Sequence, residues 1–258
     1  MQDQVALVDG WPVNIASLPD AVDRMTLAAR ADEGFCCFTL NLDHLVKLRA
    51  SAEFRHAYKA ARFITADGEP VAQMARRAWP VVQRTTGADL LEPLCVAAAD
   101  ADLPVFLFGT SPEVLGPLKV HLQKLTRQRL RIVGSEAPSR NFDPAGPEAK
   151  EYLDKIERSG ARLCFVMLGA PKQEFFSARA MDLGIKCGFL CCGAAGDFIA
   201  GHQRRAPDLM QQLGLEWLWR LARNPIRLGM RYLRCLALYF DLQVKSRRGS
   251  VPKPSGIS

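Results

Sequence analysis

Short runs of β-branched and aromatic residues alternate with longer helical stretches along this chain, and that alternation narrows the fold more than any other feature. VALVDG is followed by SLPDAVDRMTLAARADEG, CCFTLN by DHLVKLRASAEFRHAYKAA, and RFITADG by EPVAQMARRA. LPVFLFGTS, LRIVGS, RLCFVMLG and CGFLCCGAAGDF continue the series. Strands this apolar are buried on both faces, and parallel strands require helical crossovers between them. The expectation is an α/β, Rossmann-like fold: a mainly parallel sheet covered by helices. At 258 residues and 48% hydrophobic, the chain suffices for one such domain with an appendage.

In sheets of this kind ligands sit beyond the carboxyl ends of the strands, so the residues that close each apolar run are the candidate site. CCFTLNLDH puts Thr39 and Asn41 on alternate positions, where both can face one side. ITADGEP ends on Asp67 and Gly68, VMLGAPKQE on Gly169, Pro171, Lys172 and Gln173, and FLCCGAAGDF on Gly193, Gly196 and Asp197. The turns GTSPE, beginning at Gly109, and GAAGD, beginning at Gly193, could bring backbone amides to a diphosphate. Neither completes a GxGxxG or Walker A pattern, and packing glycines explain each site equally well. Asp67 alone fits an ordinary Asp-Gly turn. Joined by Arg84, Thr39, Asn41 and Gln173 it becomes a polar cluster, provided the topology brings those strand ends together.

The eight cysteines contain no CxxC pair and lie mostly in apolar runs, so they read as small buried hydrophobes. His44, His56, His121 and His202 do not fall at zinc-ligand spacings. The only DxD, Asp100-Ala101-Asp102, precedes a strand and reads as a helix-to-strand turn at the wrong end of the sheet. The expectation is therefore an enzyme with no cofactor and no metal. MQDQVALVDGW lacks a signal peptide's character, which points to the cytoplasm. No apolar run approaches the roughly 20 residues of a spanning helix, so membrane contact would be peripheral.

Charge is concentrated at one end. Residues 204–258 carry eleven Lys/Arg against three Asp/Glu, which leaves the first 203 residues near neutral. Arg220, Arg223, Arg227, Arg231 and Arg234 recur every three or four residues and align on one helical face, interleaved with Trp217, Trp219, Tyr232, Tyr239 and Phe240. Pro225 suits a helix start, which predicts two short helices broken near Asn224. The combination fits an anionic phospholipid surface; a solvated helical face is the plainer reading, and no nucleic-acid motif accompanies the charge. The expected organisation is an α/β domain over 1–203, a basic helical appendage over 204–245 and a loose tail over 246–258.

The segments ADGEP, RTTGADL, GAPKQE, GAAGDFIAG and RRAPDLMQQLGLEWLWRLARNPIRLGMRYL, in this order, resemble the bacterial TagA/WecG/CpsF glycosyltransferases. The resemblance runs from about Thr39 to about Leu233. It implies transfer of a sugar from a UDP-sugar to a polyprenyl-diphosphate-linked acceptor at the cytoplasmic face of the membrane, in cell-envelope or exopolysaccharide synthesis. By the same resemblance Asp67 is the general base, Thr39 and Asn41 are strand-end pocket residues, and Arg84 is a pocket arginine. Gln173 is then a substrate contact, Asp197 the nucleotide-side acid, and the arginine-rich segment the part that docks on membrane. Phe175-Phe176 stands where many relatives carry tryptophan, and Phe142 near a position often tyrosine, so no uracil-stacking role is carried over.

An inverting transfer needs one carboxylate to take the acceptor's proton, which Asp67 can supply, while glycine-turn amides and arginines offset the charge on departing UDP. Glu69, just after it, reads as a helix-start residue. Two competitors are a nucleotide-sugar-binding accessory subunit and a Rossmann-type oxidoreductase, the latter opposed by the missing GxGxxG. The donor sugar and the oligomeric state are left open.

Overall fold

A computed structural model describes residues 4–203, 206–207, 209–210, 216–223 and 225–247. The chain opens with a two-stranded antiparallel hairpin, β1 (Ala6–Val8) and β2 (Trp11–Val13), followed by α1 (Leu18–Arg30). Next come β3 (Phe35–Leu40), α2 (Leu42–Ala50), α3 (Ala52–Lys59), β4 (Ala61–Ala66), α4 (Glu69–Arg76) and α5 (Gly87–Asp100). The series continues through β5 (Val105–Gly109), α6 (Pro112–Leu125), β6 (Ile132–Glu136), α7 (Pro147–Arg158), β7 (Leu163–Met167), α8 (Lys172–Asp182), β8 (Gly188–Cys191) and α9 (Ala195–Ile199). Two helices close it: α10 (Glu216–Arg223) and α11 (Pro225–Arg247).

Strands β3 to β8 form one six-stranded sheet in the order β4-β3-β8-β7-β5-β6, and every pairing is parallel. The expected α/β architecture is therefore present. VALVDG departs from it, because β1 turns back into β2 instead of joining the sheet. Asp9 and Gly10 at its tip both take positive φ, 52° and 81°, the conformation of a tight hairpin turn. The helical run after β3 is also split. Ser51 is extended and its side chain accepts from Phe54 N–H, so it ends α2 and caps α3.

Period-two alternation sends Cys36, Phe38 and Leu40 of β3 to one face of the sheet and Phe35 and Cys37 to the other. The first face packs against α2, α3, α4, α7 and α8, the second against α1, α5 and α6. All eight cysteines are buried free thiols. Burial also drives up the pKa of Cys36, Cys37 and Cys164.

The charged tail is tied to this body. Pro225 opens α11, as its chemistry predicts, though the helix spans 23 residues and is not short; Asn224 lies outside the described residues. Cys235, Leu238 and Leu242 are buried, and the two leucines join the core on the α2 side of the sheet. Arg231 Nε lies 2.8 Å from Asp43 Oδ1, Arg49 Nη1 lies 2.8 Å from Asp241 Oδ2, and Arg77 Nη2 donates to Gln243 at 2.5 Å. Trp217 of α10 packs on Tyr232 with ring centroids 5.8 Å apart. The opposite face of α11 is apolar and exposed: Ile226, Met230, Leu233, Phe240 and Val244 recur at helical spacing, with Ile226 98% and Phe240 64% accessible. Among the described residues no helix is long and apolar enough to cross a membrane.

Two leucines on opposite faces of α11 should therefore behave differently. Leu238→Ala removes a buried side chain and should lower the unfolding free energy by about 2–3 kcal/mol. Leu233→Ala, on the exposed face, should change it by less than about 0.5 kcal/mol. Urea denaturation of both variants checks the pair.

Candidate active site

Parallel pairing of β3 with β4 aligns Leu40 with Ala66, and Asp67 N–H donates to Leu40 O at 2.8 Å, extending the ladder by one residue. Gly68 follows at φ 87°, a left-handed value suited to glycine, and lets the chain turn at once into α4. Asp67 is thereby set beside the end of β3. Asn41 Nδ2 donates to Asp67 Oδ2 at 3.0 Å, and Thr39 Oγ1 approaches the same oxygen at 3.5 Å. Asn41 is still extended and also caps α2, its Oδ1 accepting from His44 N–H at 3.0 Å. Arg84 arrives by a separate route. It forms an isolated parallel bridge with Ala66, with Thr85 N–H bonded to Ala66 O at 2.8 Å, and its guanidinium lies 3.9 Å from Asp89 in the first turn of α5. Glu69 bonds to Arg76 within α4, consistent with a helix-start role.

A second group lies at the ends of β7 and β8. Gln173 is buried and uses both ends of its amide: Oε1 accepts from Gly193 N–H at 3.0 Å, and Nε2 donates to Glu174 Oε1 at 2.8 Å. Gly193, at φ 57°, thus has its amide engaged by a protein side chain. Gly169 closes a turn, its carbonyl accepting from Lys172 N–H at 3.0 Å. The third group joins β5 to α9. Thr110 Oγ1 donates to Asp197 Oδ2 at 3.0 Å, and Gln203 Nε2 reaches the other oxygen of Asp197 at 3.3 Å. Thr110 holds φ 54°, a costly conformation for a β-branched residue, and such strain clusters at functional sites. Gly109 has a packing reason to be glycine: at φ 115°, an added Cβ would lie 2.5 Å from Met167 O.

The sheet thus joins Thr39 and Asn41 to Asp67, sets the backbone of Arg84 beside Ala66, and places Gln173, Gly193 and Asp197 along the same carboxyl edge. Asp100 and Asp102 lie before β5 at the opposite edge, ion-paired with Arg129 and Arg131. Of the five tail arginines, Arg231 pairs with Asp43, Arg234 is exposed, and the side chains of Arg220, Arg223 and Arg227 lie outside the described residues. Burial opposes ionisation of Asp43, but Arg231 and Lys47 outweigh it and hold that carboxyl below its ordinary range.

Three residues were not singled out from the sequence: Thr110, His44 and Glu174. His44 and Glu174 are buried, with Nε2 of the first 3.7 Å from Oε1 of the second. Burial lowers His44 to about 4 and raises Glu174 to about 7. The available signal was position: His44 stands one turn after Asn41, and Glu174 follows Gln173.

A sequence model of the glycosyl transferase WecG/TagA/CpsF family matches residues 6–251. The chain belongs to this family. It is a glycosyltransferase, and its substrates are a sugar donor and an acceptor. The match extends through the hairpin and both terminal helices, so the tail belongs to the family's common body.

The buried pair sets a pH signature for this glycosyltransferase. Folded Glu174 keeps a proton, up to about pH 7, that an unfolded carboxyl releases near 4.5, so this group makes stability fall as pH rises between those values. Folded His44 lacks, above about pH 4, a proton that the unfolded imidazole holds up to about 6.5, so it makes stability rise with pH. The slopes oppose each other. Glu174→Gln removes the falling one, so between pH 4.5 and 6.5 its Tm should rise more steeply with pH than the wild-type Tm, as read by scanning calorimetry.

Proposed function

We propose that this glycosyltransferase moves a hexose-type sugar, with inversion, from a UDP-sugar to a polyprenyl-diphosphate-linked sugar at the inner face of the cytoplasmic membrane. Asp67 is the general base. The observation that carries the reading is the setting of its carboxylate: a strand-end aspartate with one oxygen bound by Asn41 and approached by Thr39, so that its plane is fixed. The acceptor hydroxyl oxygen forms its bond to the anomeric carbon as the bond to the UDP oxygen breaks. The hydroxyl proton passes to Asp67, and UDP leaves with the bonding electron pair. Arg84, one strand position away, supplies positive charge for a diphosphate. Asp197, held by Thr110 and Gln203, serves the nucleotide side.

Residues 204–245 act as the membrane-docking arm. Support comes from the two faces of α11: one is bonded to the body at Asp43, two residues past Asn41, and the other presents an apolar stripe beside exposed Arg234. Apolar side chains with flanking arginines suit the headgroup boundary of an anionic leaflet, where each basic residue contributes about 1 kcal/mol.

A screen of UDP-hexoses and UDP-N-acetylhexosamines against a polyprenyl-diphosphate-linked sugar, read as UDP release by the purified chain alone, tests the transfer. One donor should be consumed without a partner protein; turnover that appears only with a partner would instead favour an accessory role. Asp67→Asn should cut kcat by about 10²–10⁴-fold and leave UDP affinity nearly intact by calorimetry. For the arm, replacing Met230, Leu233 and Phe240 together with Glu should abolish co-sedimentation with anionic liposomes while circular dichroism and UDP binding stay as in wild type. A folded triple variant that still sediments refutes the docking face.

A further inference from the structure

Two buried ionisable groups, His44 and Glu174, lie beside the candidate site. Their bonds end on the residues that hold Asp67. His44 Nδ1 lies 2.5 Å from Thr39 O. A carbonyl has no proton to give, so Nδ1 carries one and donates it, and in the neutral ring Nε2 is bare. The backbone N–H of His44 meanwhile engages Asn41 Oδ1, and this orients the amide so that Nδ2 faces Asp67. One residue therefore fixes both groups that contact Asp67 Oδ2: Thr39 through its carbonyl and Asn41 through its amide.

Bare Nε2 faces Glu174, which is 0% exposed. Glu174 Oε1 accepts from Gln173, and Oε2 has no hydrogen-bond partner among the described residues. An anion with an unpartnered buried oxygen is costly, so the carboxyl carries the proton and the pair is neutral on both sides. Gln173 extends the connection to Gly193 N–H at the end of β8. A buried polar pair gives the fold little that apolar residues of the same volume would not. What apolar residues could not do is hold the carbonyl of Thr39, which His44 Nδ1 binds.

We propose that Glu174 and His44 are a positioning pair for sugar transfer, fixing the Thr39–Asn41 strand end that holds Asp67 and tying it through Gln173 to the turn at Gly193. The assignment rests on Asp67 being the base. The groups around the pair are Asp43 and Lys47 on α2, Arg231 on α11, Tyr58 on α3, Cys191 on β8 and Asp67 itself. Asp43 is held low by Arg231 and Lys47 against its burial, whereas burial drives Tyr58 and Cys191 up, so Glu174 is the member placed to titrate near neutrality.

The test compares Glu174→Met and Glu174→Gln in the full chain, with the donor consumed in the UDP-sugar screen. Methionine removes the polar group facing His44 Nε2 and leaves Gln173 Nε2 unpartnered: kcat should fall at least about tenfold, donor KM should stay within about twofold, and the Asn41 side-chain amide signal should shift in the ¹H–¹⁵N NMR spectrum. Glutamine keeps the shape and neutrality of the protonated acid and an oxygen that accepts from Gln173. It should keep kcat within about threefold of wild type, leave the Asn41 signal in place, and lack the decline in kcat expected of wild type above about pH 7. In an Asp67→Asn background, Glu174→Met should cause no further loss, because residues that act through one group are not additive.

A folded Glu174→Met protein with wild-type kcat, a loss carried by KM, or the same loss repeated beside Asp67→Asn overturns the proposal. If Glu174→Met does not fold, the isosteric Glu174→Gln decides: a tenfold loss, or an unchanged alkaline decline, refutes it. Should wild type consume no donor, or Asp67→Asn keep full turnover, the reading of Asp67 as base falls, while the Asn41 signal still decides whether Glu174 positions that side chain.

Discussion

Everything at the carboxyl edge depends on the register between β3 and β4. Thr39 pairs with Thr65 and Leu40 with Ala66, so the residue after β4 meets the residue after β3. A slip of one position would turn Asp67 to the other face of the sheet and break its contact with Asn41. Burial fixes that register. Phe38 and Leu40 fill one half of the core while Phe35 and Cys37 fill the other, so neither set can exchange places without misfitting the side chains packed against each face. The packing energy of the sheet is thus the source of the precision at its edge.

The same dependence explains what could be read from the sequence. Parallel strands announce themselves as apolar runs separated by helices, and the polar residues that end those runs were legible as a site because ligands bind there in such sheets. What could not be read was anything requiring knowledge of which strands adjoin. Arg84 is joined to the strand end by an isolated bridge to Ala66, and Glu174 meets His44 only because α8 packs against α3 and β3; no spacing in the chain encodes either meeting. Two local signals were available and passed over. Asp9-Gly10 between apolar pairs marks a hairpin, and Ser51 followed by Ala-Glu-Phe marks a helix start. Gly109 shows the opposite limit: a glycine before Thr-Ser-Pro suits a phosphate turn, yet here the backbone of Met167 already demands it.

Helix α11 joins two readings that composition kept apart. An arginine-rich helix can be a solvated face, a lipid-binding face or part of the fold, and α11 has one face built into the fold and one left exposed. Cys235, Leu238 and Leu242 turn inward and Arg231 binds Asp43, while Ile226, Met230, Leu233, Phe240 and Val244 remain outside. A surface that binds the outer face therefore pulls on a helix whose inner face is bonded to α2, the helix capped by Asn41. Contact at the periphery and geometry at the carboxylate share one mechanical element.

The enclosed thiols give this arrangement a practical consequence. Burial keeps all eight sulfurs protonated and enclosed, so an alkylating reagent in native buffer meets little thiolate while the structure stays closed. Seven of those sulfurs lie in or against the sheet and become reactive only when the core opens. Cys235 is the exception, because it lies on α11 with its thiol pushed up to about 11, and helix release alone would uncover it. The chain therefore carries an intrinsic chemical reporter: alkylation of that single sulfur ahead of the other seven would register release of α11 without opening of the core, with no label or introduced residue.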